Sequence, residues 1–313
     1  MKILSSGVLL VMCSFLDAAE PVAHTVLAAD RGTGKVAIID PHGEVTWEFA
    51  NKHDCHDIQM LPNGNILVHT SPTKVVEINS KKEIVWSHES KPVEGSKLRV
   101  EVHAFQRLPD GNTMIAESGN TRIIEVNPKG EIVKTVPLTV TKRDAHRDTR
   151  MVRKLKTGNY LVCHEGEGLV REYDGDGKTV WQYKLDLNNR PRSGGHGVEG
   201  HGTEVFGAVR LESGNTLIAG GNNNRVIEVN PKGEVVWQVD QKDLPGITFA
   251  WVTTLQALPN GNIIIGNTHA GKDNPQLIEV TRDKKVVWTF KDHKNFGNDT
   301  CAAQVLGVEG VIR

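Results

Sequence analysis

One turn sequence returns five times along the chain and limits what it can fold into. Leu61-Pro62-Asn63-Gly64-Asn65 recurs as Leu108-Pro109-Asp110-Gly111-Asn112, Leu155-Lys156-Thr157-Gly158-Asn159, Leu211-Glu212-Ser213-Gly214-Asn215 and Leu258-Pro259-Asn260-Gly261-Asn262, with the leading leucines 47, 47, 56 and 47 residues apart. Each copy is followed by short β-prone runs, such as Ile66-Leu67-Val68, Val75-Val76-Glu77-Ile78 and Glu83-Ile84-Val85-Trp86. Asn-Gly, Asp-Gly and Lys-Gly turns between such runs are hairpin chemistry. With the strand before each turn, every unit has four strands, and no helical period of useful length interrupts the pattern. Repeated four-stranded units of this length predict an all-β fold, a β-propeller.

The two ends set the blade count. Residues 25–49 supply only the last three strands of a unit, and Gln304-Val305-Leu306 aligns with Gln59-Met60-Leu61 as a lone first strand. Joining them predicts a six-bladed propeller over residues 24–313, closed by the C-terminal strand, with no exposed edge left at the junction. Trp47, Trp86, Trp181, Trp237 and Trp288 share one outer-strand position, where Lys134 stands in the remaining blade, and read as inter-blade packing. Trp251 lies outside that pattern and is a candidate ligand platform.

Ahead of the repeats, Met1-Lys2, an apolar stretch from Ile3 to Leu16 and Asp17-Ala18-Ala19 read as a signal peptide over residues 1–19. A periplasmic or secreted protein is expected, with no transmembrane segment in the mature chain. Cys55, Cys163 and Cys301 form no CxxC pair and imply no disulfide framework; one bridge or three buried thiols are both open. A net charge of −1 gives no electrostatic case for nucleic acid as a partner.

In such a ring the first strand of each blade starts at one mouth, where the longer connections also gather. The register there reads His56, His103, Arg150, Phe206, Thr253 and Cys301. The second strands end at Asp30, Thr70, Glu117, His164, Gly220 and Asn267, and the adjoining loops add His53, Asp57, His146, Arg147, Glu165, His196, His201, Glu204 and His269. His56, His103, Arg150 and His164 are the candidate catalytic residues. His53, Asp57, Glu117, His146, Arg147, Glu165, His201, Trp251 and His269 are the candidate binding residues. Histidines beside carboxylates could hold a divalent metal; histidines beside arginines suit acid–base or group-transfer chemistry on an anion. His24, His42, His88 and His293 are expected at the surface. Apart from Arg150, the run Lys142, Arg143, Arg147, Arg153 and Lys154 reads mainly as a solvated face. Ser193-Gly194-Gly195-His196-Gly197 lacks the lysine and helix of a phosphate loop and reads as a flexible flap.

From His53 to Leu67 the chain resembles the bacterial arylsulfate sulfotransferase family in its His56-Asp57 segment before the Leu61–Asn65 turn, and in the His103 register. The resemblance implies a six-bladed periplasmic propeller with an anion site of histidines and an arginine, to which His56 and His103 would contribute. That family passes a sulfo group through a sulfohistidine, whose register here holds Phe206, Thr253 and Cys301. The repeats also look like those of pyrroloquinoline-quinone propellers, but those rings have eight blades, so a quinone cofactor is not expected. The functional expectation is an enzyme acting on a small anionic or sugar-like ligand. The alternatives are a non-catalytic glycan- or peptide-binding propeller and a metal-dependent lyase or oxidase.

Overall fold

The computed structural model describes residues 23–313, so the expected signal peptide lies outside the described residues. Six four-stranded antiparallel sheets form the ring. Five blades run in simple chain order, for example Ile58–Met60, Ile66–His69, Lys74–Ile78 and Ile84–Glu89. The closing blade takes its inner strand, Ala302–Leu306, from the far end of the chain and pairs it with Thr25–Asp30, Thr25 opposite Leu306 and Ala29 opposite Ala302. The ring and its closure are as the repeats predict.

The turn repeat has a backbone cause. Gly64, Gly111, Gly158, Gly214 and Gly261 have φ between 81° and 89°, a region only glycine enters without cost. Around the first of them Gly64 N donates to Leu61 O at 2.9 Å and Leu61 N to Asn65 O at 2.8 Å, which joins two strands through a tight loop.

The other recurring residues form the seams between blades. The final asparagine of the turn donates to a third-strand glutamate of its own blade at 2.6 Å in Asn65–Glu77, Asn159–Glu172, Asn215–Glu228 and Asn262–Glu279. Each glutamate also takes a cation from the next blade: Arg107 to Glu77 and Arg210 to Glu172, both at 2.8 Å, and Arg282 to Glu228. Those guanidiniums lie 5.3, 5.0 and 4.4 Å from the ring centroids of Trp86, Trp181 and Trp237, within cation–π reach. At the last seam His24 replaces the arginine, 2.7 Å from Glu279 and edge-on to Trp288. His24 is therefore a buried seam residue, not the surface histidine its position suggested. In the closing blade Ile38 stands opposite Trp47 where the other blades carry the glutamate.

The basic run after residue 142 is also not one solvated face. Arg153 is buried on the axis and grips Asp57 through two hydrogen bonds of 2.8 and 2.9 Å, and Lys154 bonds Glu125 at 2.5 Å. Arg313, half-buried beside them, bonds Ile58 O, and Ile312 pairs with Ala257. Between these groups and the inner strands the channel narrows to a cavity of about 20 Å³, room for one water.

Candidate functional site

Above that constriction the inner strands deliver their first residues to the mouth. His103 falls at a bulge, since Val102 opposes Glu117 and Ala104 opposes the very next residue, Ala116. The extra residue leaves the ladder and is turned toward the axis. At Arg150 the strand is doubled in the same way: Arg150 N donates to Cys163 O and Met151 O accepts from Cys163 N. His56 is anchored by its own backbone, whose N–H donates to His69 Nε2 at 3.0 Å.

Arg150 is the hub and is 3% exposed. Its Nη1 donates to His56 Nε2 at 3.2 Å, its Nη2 to His146 Nε2 at 2.8 Å, and its Nε to Glu165. Arginine has only donors, so both imidazoles must present a lone pair to it. The remaining N–H of His146 is then Nδ1–H, which donates to Glu101 Oε2 at 2.8 Å. His103 donates Nδ1–H to the Thr149 carbonyl at 2.7 Å and sets Nε2 3.0 Å from the same Glu101 oxygen. Two acceptors do not stand that close without a proton between them, so the His103–Glu101 pair holds one. Burial tends to raise Glu101, but the hydrogen bonds from His103 and His146 hold it far below the usual carboxylate range. Burial, then Arg150, lowers His103 against the pull of Glu101 and Thr149. The shared proton is thus required by the geometry.

Glu101, His103 and His146 are the group among the described residues whose ligand atoms lie close enough to hold a metal, within 4.8 Å of one another. The donor count opposes it as the side chains stand. A metal on His146 Nδ1 would put the ring proton on Nε2, against the Arg150 N–H. A dication would also sit beside the Arg150 guanidinium, and Glu101 is already paired with Arg99 at 2.6 Å.

Outside this cluster Arg147 bridges Glu165 at 3.2 Å and Glu204 at 3.1 Å, and Arg192 bonds Glu204 at 2.8 Å. With His146, His196 and Asn222 they line a cleft of about 270 Å³ under the glycine flap. The opposite side of the mouth is apolar: Phe206, Trp251 and Cys301 pack together, with Phe206 6.0 Å from the His56 ring. The site therefore has a charged half on three neighbouring blades and an apolar half on the other three.

Several candidates are placed away from this cluster. His164 is fully buried, with one ring nitrogen on Asp148 O at 2.7 Å and the other on Tyr173 Oη at 2.8 Å. Glu117 bonds Asn120 at 2.8 Å and also Arg122, and touches no imidazole. Both sit on second strands, one layer behind the axis, where a polar side chain ties strand to loop. Asp57 is committed to Arg153 and to the backbone N–H groups of Phe105 and Ile58. His53 packs edge-on against His69, His201 bonds Pro191 O at 3.0 Å, and His269 pairs with Asp299 at 3.3 Å. The three cysteines are buried and unbridged.

Glu101 was missed by the sequence reading, although it stands two residues before His103 at the start of the same strand; the bulge at His103 hides that they meet. Arg192 and His69 were missed too. The His69 ring supports the His56 backbone.

Buried neutral imidazoles make the fold sensitive to acid. Burial holds His164 at about 4, and holds His56 and His69 well below the ordinary histidine value, with Arg150 adding to the effect on His56 and His53 on His69. Unfolded, all three would titrate near ~6.5. As pH falls below that value the unfolded chain takes up protons first, so the stability these groups contribute is complete above it and is lost toward pH 4. Unfolding free energies from urea titrations between pH 7 and pH 4.5 should fall by up to about 1.4 kcal/mol per pH unit for each such histidine. A flat profile would mean these rings are not buried and neutral.

The comparisons agree with this architecture. The family model described as outer membrane protein assembly factor BamB matches residues 32–290. No curated protein matches the chain in sequence. Among solved structures, a protein of unknown function from Bacteroides caccae is 26% identical with a TM-score of 0.75, over 91% of this chain and 100% of that one. A streptogramin B lyase is 13% identical with a TM-score of 0.59, over 95% and 94%. A catalytically inactive histidine-to-alanine variant of virginiamycin B lyase from Staphylococcus aureus, with quinupristin, is 11% identical with a TM-score of 0.56, over 89% and 87%. At the last two identities the likeness is one of fold.

Proposed function

We propose, for a chain that belongs to the family described as outer membrane protein assembly factor BamB, that the mouth of its propeller binds a small anionic ester and transfers its anionic group. The observation that carries this reading is the engagement of Arg150, which masks the Nε2 lone pairs of His56 and His146 with its own N–H groups. An entering anion competes for those donors. Once it holds them, the guanidinium neutralises the anion and a freed imidazole nitrogen faces it as nucleophile or base. The proton between His103 and Glu101 is the acid for the group that leaves.

Sulfuryl transfer fits these parts, and the His56 and His103 registers resemble those of the arylsulfate sulfotransferases. An imidazole nitrogen would attack sulfur as the bond from sulfur to the aryl oxygen breaks, and that oxygen would take the proton. The sulfo group would then pass to an acceptor hydroxyl as its bond to the imidazole breaks, and the hydroxyl proton would return to the His103–Glu101 pair. The nucleophile in this reading comes from His56 or His146, since Phe206, Thr253 and Cys301 cannot supply an imidazole. In the structural relatives, a propeller lyase loses catalysis when one histidine becomes alanine, which supports histidine chemistry on this scaffold in general terms. We place the protein outside the cytoplasm on the leader-like composition of residues 1–19. No helix among the described residues is long and apolar enough to cross a membrane.

The test is turnover by purified, metal-free protein of nitrophenyl sulfate with a phenolic acceptor, beside a panel of uronic-acid oligosaccharides. Phenol release without added metal is expected. Cleavage of uronic-acid chains alone, or turnover only with a divalent metal, would favour a lyase. A sulfate ester that binds and never reacts would make the propeller a binding module.

A further inference from the structure

We propose that the small cavity in the channel beneath the mouth is a site for one monovalent anion of chloride size, separate from the mouth and beyond the function proposed for it. The cavity holds about 20 Å³ where Arg153 and Arg313 enter the channel, and His56 lines it from above. Its lining carries three buried side-chain atoms that have no hydrogen-bond partner: His56 Nδ1, Arg153 Nε and Arg313 Nη2. The two guanidinium atoms can only donate. His56 is neutral and spends its Nε2 lone pair on Arg150 at 3.2 Å, so its one ring proton sits on Nδ1. All three are donors.

The side-chain acceptors around them are already used. Asp57 takes Arg153 Nη1 at 2.8 Å and Nη2 at 2.9 Å. Thr253 Oγ1 pairs with Thr268 Oγ1 at 3.0 Å, and Gln256 Oε1 accepts from Val305 N at 3.2 Å. Arg153 is the most constrained of the three donors, because its side chain is 8% exposed and an orphaned N–H at that depth is costly. Charge is unbalanced in the same direction. Two guanidiniums face the single carboxylate of Asp57, and Arg313 comes no closer to it than 3.7 Å. Arg150 adds no spare counter-charge, since it holds Glu165 for itself.

A water fits this volume but not its chemistry. It has two lone pairs for three donors, and it brings two protons to a lining whose unpartnered side-chain atoms are all donors. A halide accepts from every side and supplies the missing negative charge. Sulfate and phosphate are too large for the space. The remaining wall includes Met151, Leu255 and Ala302, which suits a weakly hydrated ion. An anion on Nδ1–H would also hold the His56 ring with Nε2 toward Arg150, the service that a carboxylate or carbonyl gives behind many working imidazoles.

Thermal melts in sodium chloride and in sodium gluconate at equal ionic strength test the site, with diffraction from crystals grown in bromide to place the ion. Chloride should raise the melting temperature of the wild type by several degrees over gluconate, and the gain should saturate. Arg313→Met should lose that gain, and Arg150→Lys, which alters the mouth, should keep it. Bromide should give an anomalous peak within hydrogen-bond reach of Arg153 Nε and His56 Nδ1. A gain that follows Arg150 and ignores Arg313 would place the anion at the mouth and overturn the proposal. The bromide peak decides if Arg313→Met fails to fold: a cavity without it holds water, and the proposal falls. The two readings fail separately. Bromide in the cavity of a protein that neither binds benzenesulfonate nor turns over a sulfate ester would keep this site and remove the group-transfer reading.

Discussion

Replacing Arg150 with lysine should cost at least about 30-fold in affinity for benzenesulfonate, equivalent to about 2 kcal/mol, and should abolish turnover of any sulfate ester that the wild type cleaves. The guanidinium serves three acceptors at once, His56 Nε2, His146 Nε2 and Glu165. A single ammonium on a flexible stem keeps the charge but cannot span that fork. The lysine variant is preferable to alanine because it leaves buried Glu165 with a cation, and Arg147 still bonds the same carboxylate. Its melting temperature should therefore stay within a few degrees of the wild type while binding collapses. Isothermal titration beside a thermal melt separates the two readouts. Unchanged affinity would show that Arg150 only ties loops together, and the proposed site would have to be abandoned.

Asp57 should behave in the opposite way. It was read from sequence as a ligand-binding residue beside His56, but it is buried with its carboxylate shared between both ends of the Arg153 guanidinium and two backbone N–H groups. Arg313 approaches the same carboxylate at 3.7 Å, and burial first, then Arg153, lowers that guanidinium to about 10. Asp57→Ala would leave two guanidiniums in the channel with no counter-charge. Breaking a buried pair from one side costs about 3–5 kcal/mol, so equilibrium urea denaturation should show a loss of that order. Asp57→Asn, which keeps hydrogen-bonding capacity and the shape, should lose less. A near-neutral alanine variant with weakened anion binding would return Asp57 to the ligand site.

The contrast between these two residues shows which parts of the molecule are legible in the sequence. The turn repeat fixes blade number and closure because its glycines answer a backbone demand that no other residue meets at low cost. The inner-strand register follows from the same repeat, which is why His56, His103 and Arg150 could be aligned before their contacts were known. What a side chain does at its register position is less legible. His164 and Asp57 occupy positions as prominent as His103, yet His164 is spent on Tyr173, one strand over in its own blade, and Asp57 on Arg153, a partner that only the packing of the blades brings close. Glu101 was visible as the i−2 neighbour of His103. Its role as the acceptor shared with His146 depends on a loop whose path the local sequence does not specify. The same holds for His24, whose partner Glu279 comes from the blade that the ring closure brings beside it.

That closure has a consequence for the order of events in the cell. Thr25–Asp30 is made well before its inner neighbour, Ala302–Leu306. Until that partner arrives, the first blade has an open edge facing the axis, the kind of edge that recruits other chains. Pairing so distant in sequence also makes the last step slow compared with folding of any one blade. A ribosome that releases this protein by degrees therefore holds, between those two segments, an arc of finished blades that cannot become a ring. The mouth, whose histidine side meets Cys301 and Trp251 across the axis, exists only after Ala302–Leu306 has joined the ring.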